Sequence, residues 1–186
     1  MPPSVKTTKD RIIAAACEIC RRDGIDAINA RGIARVLGTS TQPIFSNFSG
    51  MEELLSQVKE AAQARYLEYV RLETERAIYP PYKSSGMAYI RFAREEREYF
   101  KLLFMQRAEE NAPREEVFDP IVRLVQNDLG ISSADAERMH LTMWVFVHGL
   151  ATLEITSTLS LAEEDISQML TNAYIGLKHA YQHDDK

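Results

Sequence analysis

The stretch ARGIARVLGTSTQPIFSNFSGMEELL, residues 30–55, carries the signals that decide the fold. Residues 30–37 place Ile33, Ala34 and Leu37 on one side of a short helix, with Asn29 as N-cap and Gly38 as stop. Residues 41–47 read as a second short helix. Ser40 is its expected N-cap, and Pro43 sits in the first turn, where no N–H is needed. Ser49 and Glu52 have the spacing of a capping box for a much longer helix. Ala34, Gly38 and Ile44 fall at the spacing of a helix-turn-helix. A small residue lets the two helices cross, glycine adopts the left-handed turn, and an apolar residue anchors the second helix.

Helical periodicity continues on both sides, and no alternating strand pattern interrupts it. Upstream, Thr8 to Asp23 reads as a helix with Ile12, Ala16, Ile19 and Cys20 inward and Gly24 as its stop. Ile33, Leu37 and Phe48 complete a small core against it, giving an N-terminal three-helix bundle. Downstream, the long fourth helix reaches towards Ile78, and Pro80 and Pro81 end it. Further helices are expected at Ser85–Glu96, Glu98–Gln106, Arg114–Leu129 (ahead of Gly130), Ala134–Leu159 and Ala162–Gln182, with a loose N-terminal arm and C-terminal tail. The expected fold class is all-α. A helix-turn-helix domain spans residues 1–50, a larger helical domain spans 51–186, and the fourth helix connects them mechanically.

Composition bounds what such a chain does. A length of 186 residues, 45% hydrophobic and 26% charged, suits a soluble globular protein with a small domain joined to a larger one. The longest apolar run, Met143 to Ile155, is broken by His148 and Glu154 and is too short and polar to span a bilayer. No signal-peptide pattern is present, so the expected location is the cytoplasm. The net charge of −5 argues against a nucleic-acid partner until its distribution is considered. Residues 1–50 carry seven Lys or Arg against four Asp or Glu, a net +3, whereas residues 51–186 carry −8. A basic N-terminal segment suits polyanion contact, and an acidic remainder keeps other surfaces off it.

That asymmetry makes the exposed side of the second short helix interpretable. A recognition helix enters the major groove with its N-terminal residues at base edges. Thr39, Ser40, Thr41, Gln42, Pro43, Phe45 and Ser46 are the candidates for such a surface. Gln42 can pair bidentately with adenine, and Thr41 or Pro43 can touch a thymine methyl. Lys6, Lys9, Asn29 and Asn47 are candidates for phosphate contacts, which set register without reading sequence. The alternative is a polar surface helix with no partner.

The same residues resemble a known family. RIIAAACEICRRDGIDAINARGIARVLGTSTQPIFSNFSGMEELL, residues 11–55, is similar to the N-terminal DNA-binding domain of TetR/AcrR-family transcriptional regulators. The matching positions are Ala15, Ala16, Gly24, Ile33, Ala34, Gly38, Phe45, Phe48, Glu52 and Leu54. AYIRFAREEREYFKLLF (88–104) and MWVFVHGLATLE (143–154) resemble the C-terminal ligand-binding domain of one branch, with its Trp and His-Gly pair at Trp144, His148 and Gly149. The resemblance implies a homodimeric regulator, a repressor, that binds double-stranded operator DNA and responds to a small-molecule effector. It implies no further cofactor. Two departures stand out. The family commonly has a phosphate-contacting Tyr where this chain has Phe45, and a phosphate-contacting Lys where it has Met51. Lower affinity or weaker salt dependence than in a typical member is therefore expected.

In the C-terminal half, Ile166, Leu170, Ala173 and Leu177 form a stripe on the last helix, and Val145, Gly149, Thr152 and Ile155 one on the helix before it. The resemblance implies that these helices build the dimer interface; packing within their own domain is the alternative. Tyr89, Phe92, Phe100, Phe104, Met105, Met143, Trp144 and His148 are the candidate ligand pocket, although core packing is the commoner role for each. Cys17 and Cys20 lie inside a helix without a second pair for zinc, so two small core residues are expected. His179 and His183 are four apart but lack a third metal ligand. No nucleophile–base set or Gly-rich phosphate loop appears, so no enzyme is expected. The rival to a regulator is a helical interaction or small-molecule carrier protein with weakened or lost DNA binding.

Overall fold

A computed structural model describes residues 7–106 and 115–183. These residues form an all-α fold of nine helices: α1 (Lys9–Asp23), α2 (Ala30–Leu37), α3 (Gln42–Asn47), α4 (Met51–Glu75), α5 (Pro81–Glu95), α6 (Arg97–Phe104), α7 (Glu115–Leu129), α8 (Ser133–Ile155) and α9 (Glu163–His183). A 3-10 turn, Ile25–Ala27, lies between α1 and α2, and the described residues contain no strand. Two packing units divide them. One holds α1 to α3, α4 as far as Leu67, and α6; the other holds α4 from Glu68, α5 and α7 to α9.

In the first unit, local chemistry sets each boundary. Thr8 caps α1 by accepting the Arg11 N–H at 3.4 Å, and Gly24, at φ +88°, ends it. Asn29 caps α2 by accepting the Gly32 N–H at 2.9 Å. Ile12, Ala16, Ile19 and Cys20 of α1 are buried with Ile33 and Ala34 of α2, Ile44 of α3, Phe48, and Leu54, Val58 and Ala62 of α4. The spacings of three, four and seven residues are those of a single helical face. Glu96, just before α6, is buried and ties three helices together. Its carboxylate takes Arg21 in a two-pronged pair at 2.7 and 2.9 Å, and Arg65 of α4 at 3.1 Å. Packing thus gives α6 and the first part of α4 to the N-terminal helices, which periodicity alone does not indicate.

In the second unit, α5 and α8 run parallel. Tyr82 meets His140, Tyr89 meets His148 and Arg94 meets Glu154, so partners advance together along both helices. Gly86 permits the approach: a Cβ there would lie 3.3 Å from Leu170 Cδ1 and 3.6 Å from Val147 Cγ2. Val122, Val125, Leu129, Ala136 and Met139 pack together, with Tyr82, Tyr174, Leu177 and Tyr181 against them.

Several expected boundaries shift. α4 ends at Glu75, before Ile78, because Ala77 turns to φ +52°. Pro81 opens α5 four residues ahead of the expected start at Ser85, since the first helical position needs no N–H. α8 stops at Ile155, short of Leu159, where Ser157 adopts φ +56°. The box partner of Ser49 is Glu53, not Glu52: Glu53 Oε2 accepts both the Ser49 N–H at 2.8 Å and its hydroxyl at 3.0 Å. Arg114, the expected start of α7, lies outside the described residues.

Candidate functional site

The α2–turn–α3 segment takes its shape from Gly38, at φ +64° and ψ +36°, whose N–H bonds back to α2. The Thr39 N–H continues the turn, donating to Ala34 O at 3.0 Å. Thr41, not Ser40, holds the N-cap position of α3, and its side chain makes no capping bond. The turn therefore runs one residue longer than the sequence suggests. Ile44 and Phe48 face the core, while Phe45 is 58% exposed. Ser40, Gln42 and Ser46 are also exposed; Thr39, Thr41, Pro43 and Asn47 are half-buried. The Ser46 hydroxyl donates to Gln42 O at 3.0 Å, and Asn47 Nδ2 donates to Pro43 O at 2.7 Å. Ser40, Gln42 and Phe45 are thus the outward group at the start of α3.

The expected phosphate contacts are largely engaged within the protein. Lys9 Nζ pairs with Glu53 Oε1 at 2.7 Å and stands 4.8 Å above the Phe48 ring. The Lys9 bond, with two further bonds from Ser49, holds the Glu53 carboxyl down at about 2. Asn29 uses its oxygen on the α2 cap and its amide on Ala27 O at 3.0 Å. Lys6 lies outside the described residues. Arg31 and Arg35 were not among the sequence candidates. They are four apart on the exposed side of α2, and no ion pair engages either one among the described residues. Their spacing opposite buried Ile33 and Ala34 was the available signal.

The expected pocket residues fall in both units. In the second, Tyr89, Phe92 and Met143 are buried, and Trp144 and His148 half-buried. The Tyr89 hydroxyl lies 2.9 Å from His148 Nδ1, and the Trp144 ring stacks on the His148 ring at 5.1 Å and 18°. Burial lowers the pKa of His148, favouring the neutral ring. Phe92 meets Tyr69 edge-on at 5.4 Å, an α4 residue absent from the sequence candidates. In the first unit, Phe100 is buried and touches half-buried Phe104 at 5.2 Å, while Met105 is exposed. Phe104 also receives Tyr66 edge-on at 5.1 Å.

The expected interface residues separate by burial. Ile155, Ile166 and Leu170 belong to the core of their own unit and offer no area to a partner, and Leu177 packs on the Val125 cluster. Thr152 is half-buried, donating to His148 O at 2.8 Å, and Ala173 is half-buried. Val145, at 59%, and Gly149 are exposed, in line with exposed Leu141 and Leu153 on α8. Ile175 and Gly176 are exposed on α9. Cys20 is buried, and burial, with lesser contributions from Cys17 and Glu98, pushes its thiol up to about 11, away from thiolate reactivity. Among the described residues, no group of three or more His, Cys, Asp or Glu gathers for a metal, and no helix is long and apolar enough to cross a membrane.

These features describe an all-α protein with an N-terminal helix-turn-helix and a separately packed C-terminal helical unit. Residues 83–174 match the family described as tetracyclin repressor-like, C-terminal domain, which supports the TetR family. The match does not extend to α1–α3. A solved structure described as a protein with unknown function from Rhodococcus sp. RHA1 is similar, with a TM-score of 0.74 at 22% identity, over 97% of this chain and 99% of that one. At that identity the likeness concerns the fold alone. No curated protein matches the chain.

Proposed function

We propose that the chain is a TetR-family transcriptional regulator, a ligand-responsive repressor that binds a palindromic operator as a homodimer in the cytoplasm. The observation that carries this reading is the α2–turn–α3 geometry. Gly38 makes the turn, Ile44 anchors α3, and Ser40 and Gln42 stand exposed at its start, with Arg31 and Arg35 uncommitted on α2. Gln42 reads a base edge, with Thr39, Ser40, Thr41, Pro43 and Ser46 around it, and the arginines hold phosphates. A two-fold dimer presents two such helices to two half-sites. The exposed residues of α8 and α9, Leu141, Val145, Gly149, Ile175 and Gly176, are the surface it would use. The family match over residues 83–174 supports the effector-binding side, which we place around Tyr89, Trp144 and His148 in the branch carrying that Trp and His-Gly pair. α4 contributes to both packing units, so it is the covalent route by which effector binding biases DNA binding. Such coupling is typically about 1–3 kcal/mol and reciprocal. The protein acts without a cofactor and without catalysis.

The test is a binding titration of the whole protein on DNA upstream of its own gene. Palindrome-dependent binding is expected, with Gln42→Ala and Thr41→Ala each weakening it by roughly 1–3 kcal/mol. Equal, weak binding to any duplex would overturn the regulator reading. It would favour an interaction or carrier protein on the same fold, for which the exposed Phe45 without a hydroxyl and Met51 at the start of α4 are the specific observations.

A further inference from the structure

We infer that Glu73 is the anchor for a protonated amine on an aromatic effector. This rests on the ligand-binding part of the proposed function. Glu73, on α4, is 1% exposed. Its Oε2 accepts Arg91 Nη1 of α5 at 2.6 Å and Arg76 Nη1 at 3.3 Å, while its Oε1 is buried and takes no hydrogen bond among the described residues. Buried polar atoms are almost always satisfied, so an oxygen of this kind calls for a donor. The surrounding charges specify which donor. Arg91 is shared: its Nη2 also donates to Glu163 Oε1 of α9 at 3.0 Å, so two carboxylates draw on one half-buried guanidinium. Arg76 is more exposed, and its contact with Glu73 is the longest of the set. A further positive donor is therefore favoured over a neutral one, and an anionic or carbonyl group would meet a carboxylate.

The residues next along α4 and α5 point to the rest of the ligand class. Tyr69 lies one helical turn before Glu73 and meets Phe92 edge-on, and Phe92 adjoins Arg91. An aromatic body bearing an ammonium suits a carboxylate one helical turn from an aromatic ring pair. Neither Tyr69 nor Glu73 belongs to the Tyr89–His148–Trp144 cluster, so the anchor is a recognition element separate from it.

The experiment is calorimetric titration of the full chain, free of DNA, with naphthylethylamine and with neutral naphthylethanol. The amine is expected to bind at least about tenfold more tightly, and Glu73→Gln is expected to abolish that preference while changing alcohol binding by less than about threefold. Circular dichroism reports whether the variant folds. Arg76→Gln removes a cation that competes for Glu73 and is expected to tighten amine binding, which decides the matter if Glu73→Gln does not fold. An amine no tighter than the alcohol, a preference that survives Glu73→Gln, or no tightening in Arg76→Gln would overturn the inference; a water alone on Oε1 gives these results. Operator binding is measured separately. Palindrome binding without amine selectivity sinks this inference alone, and Glu73-dependent amine selectivity without palindrome binding sinks the regulator reading alone.

Discussion

At Gly38 the backbone stands at φ +64°, and nothing lies within 4 Å of where a Cβ would project. The glycine is required by conformation and not by space. Gly38→Ala is therefore expected to cost about 1 kcal/mol, seen as a lowered urea midpoint with an unchanged slope. Phe45 and Phe48 show how one turn divides identical side chains: Phe48 is buried under Lys9, and Phe45 faces out. If this surface meets DNA, Phe45→Tyr restores a hydroxyl and Met51→Lys a cation beside a phosphate. Met51→Lys is expected to tighten binding and steepen the log affinity against log salt slope by about 1, whereas Phe45→Tyr tightens it with little change of slope. An unchanged slope for Met51→Lys would place residue 51 away from the phosphates. The pairing of Lys9 with Glu53 was not legible in sequence, because it joins residues 44 apart through the folding of α4 back on α1.

Between elements, the parallel pairing of α5 with α8 rests on two Tyr–His contacts and an Arg–Glu pair. Burial lowers the pKa of His140 from 6.5 to about 4. The unfolded chain binds the proton more readily, so stability is complete above pH 6.5 and is lost as the pH falls from there towards 4. The thermal midpoint is expected to decline across that window, and His140→Asn to flatten the decline. Glu53 acts in a lower window. Its depressed carboxyl pKa gives stability that is present above 4.5 and lost as the pH falls through about 2. A second expectation concerns Glu96, which ties α1, α4 and α6. Because Arg21 and Arg65 are half-exposed and can return to water, Glu96→Gln is expected to cost roughly 1–2 kcal/mol in denaturant titration, less than breaking a fully buried pair.

At the scale of the molecule, the proposed dimer predicts that Val145→Asp, which adds a charge to an exposed position on α8, weakens self-association by at least about tenfold in sedimentation velocity. The melting temperature at low protein concentration should change little, because that side chain is not part of its own core. An unaltered sedimentation profile would move the interface elsewhere. Sequence alone determined the helical class and the caps at Asn29 and Gly38, because periodicity and capping are local properties of neighbouring residues. It could not determine which faces are consumed inside one chain. The pattern of Ile155, Ile166 and Leu170 left interface and own-domain packing open, and tertiary packing buries them in their own unit, because an apolar stripe has the same spacing whatever it packs against. The same limit hid Arg31 and Arg35 as uncommitted cations and Glu73 as a buried acceptor. Whether a charged side chain is partnered depends on residues far away in the chain, and only the folded structure brings those together.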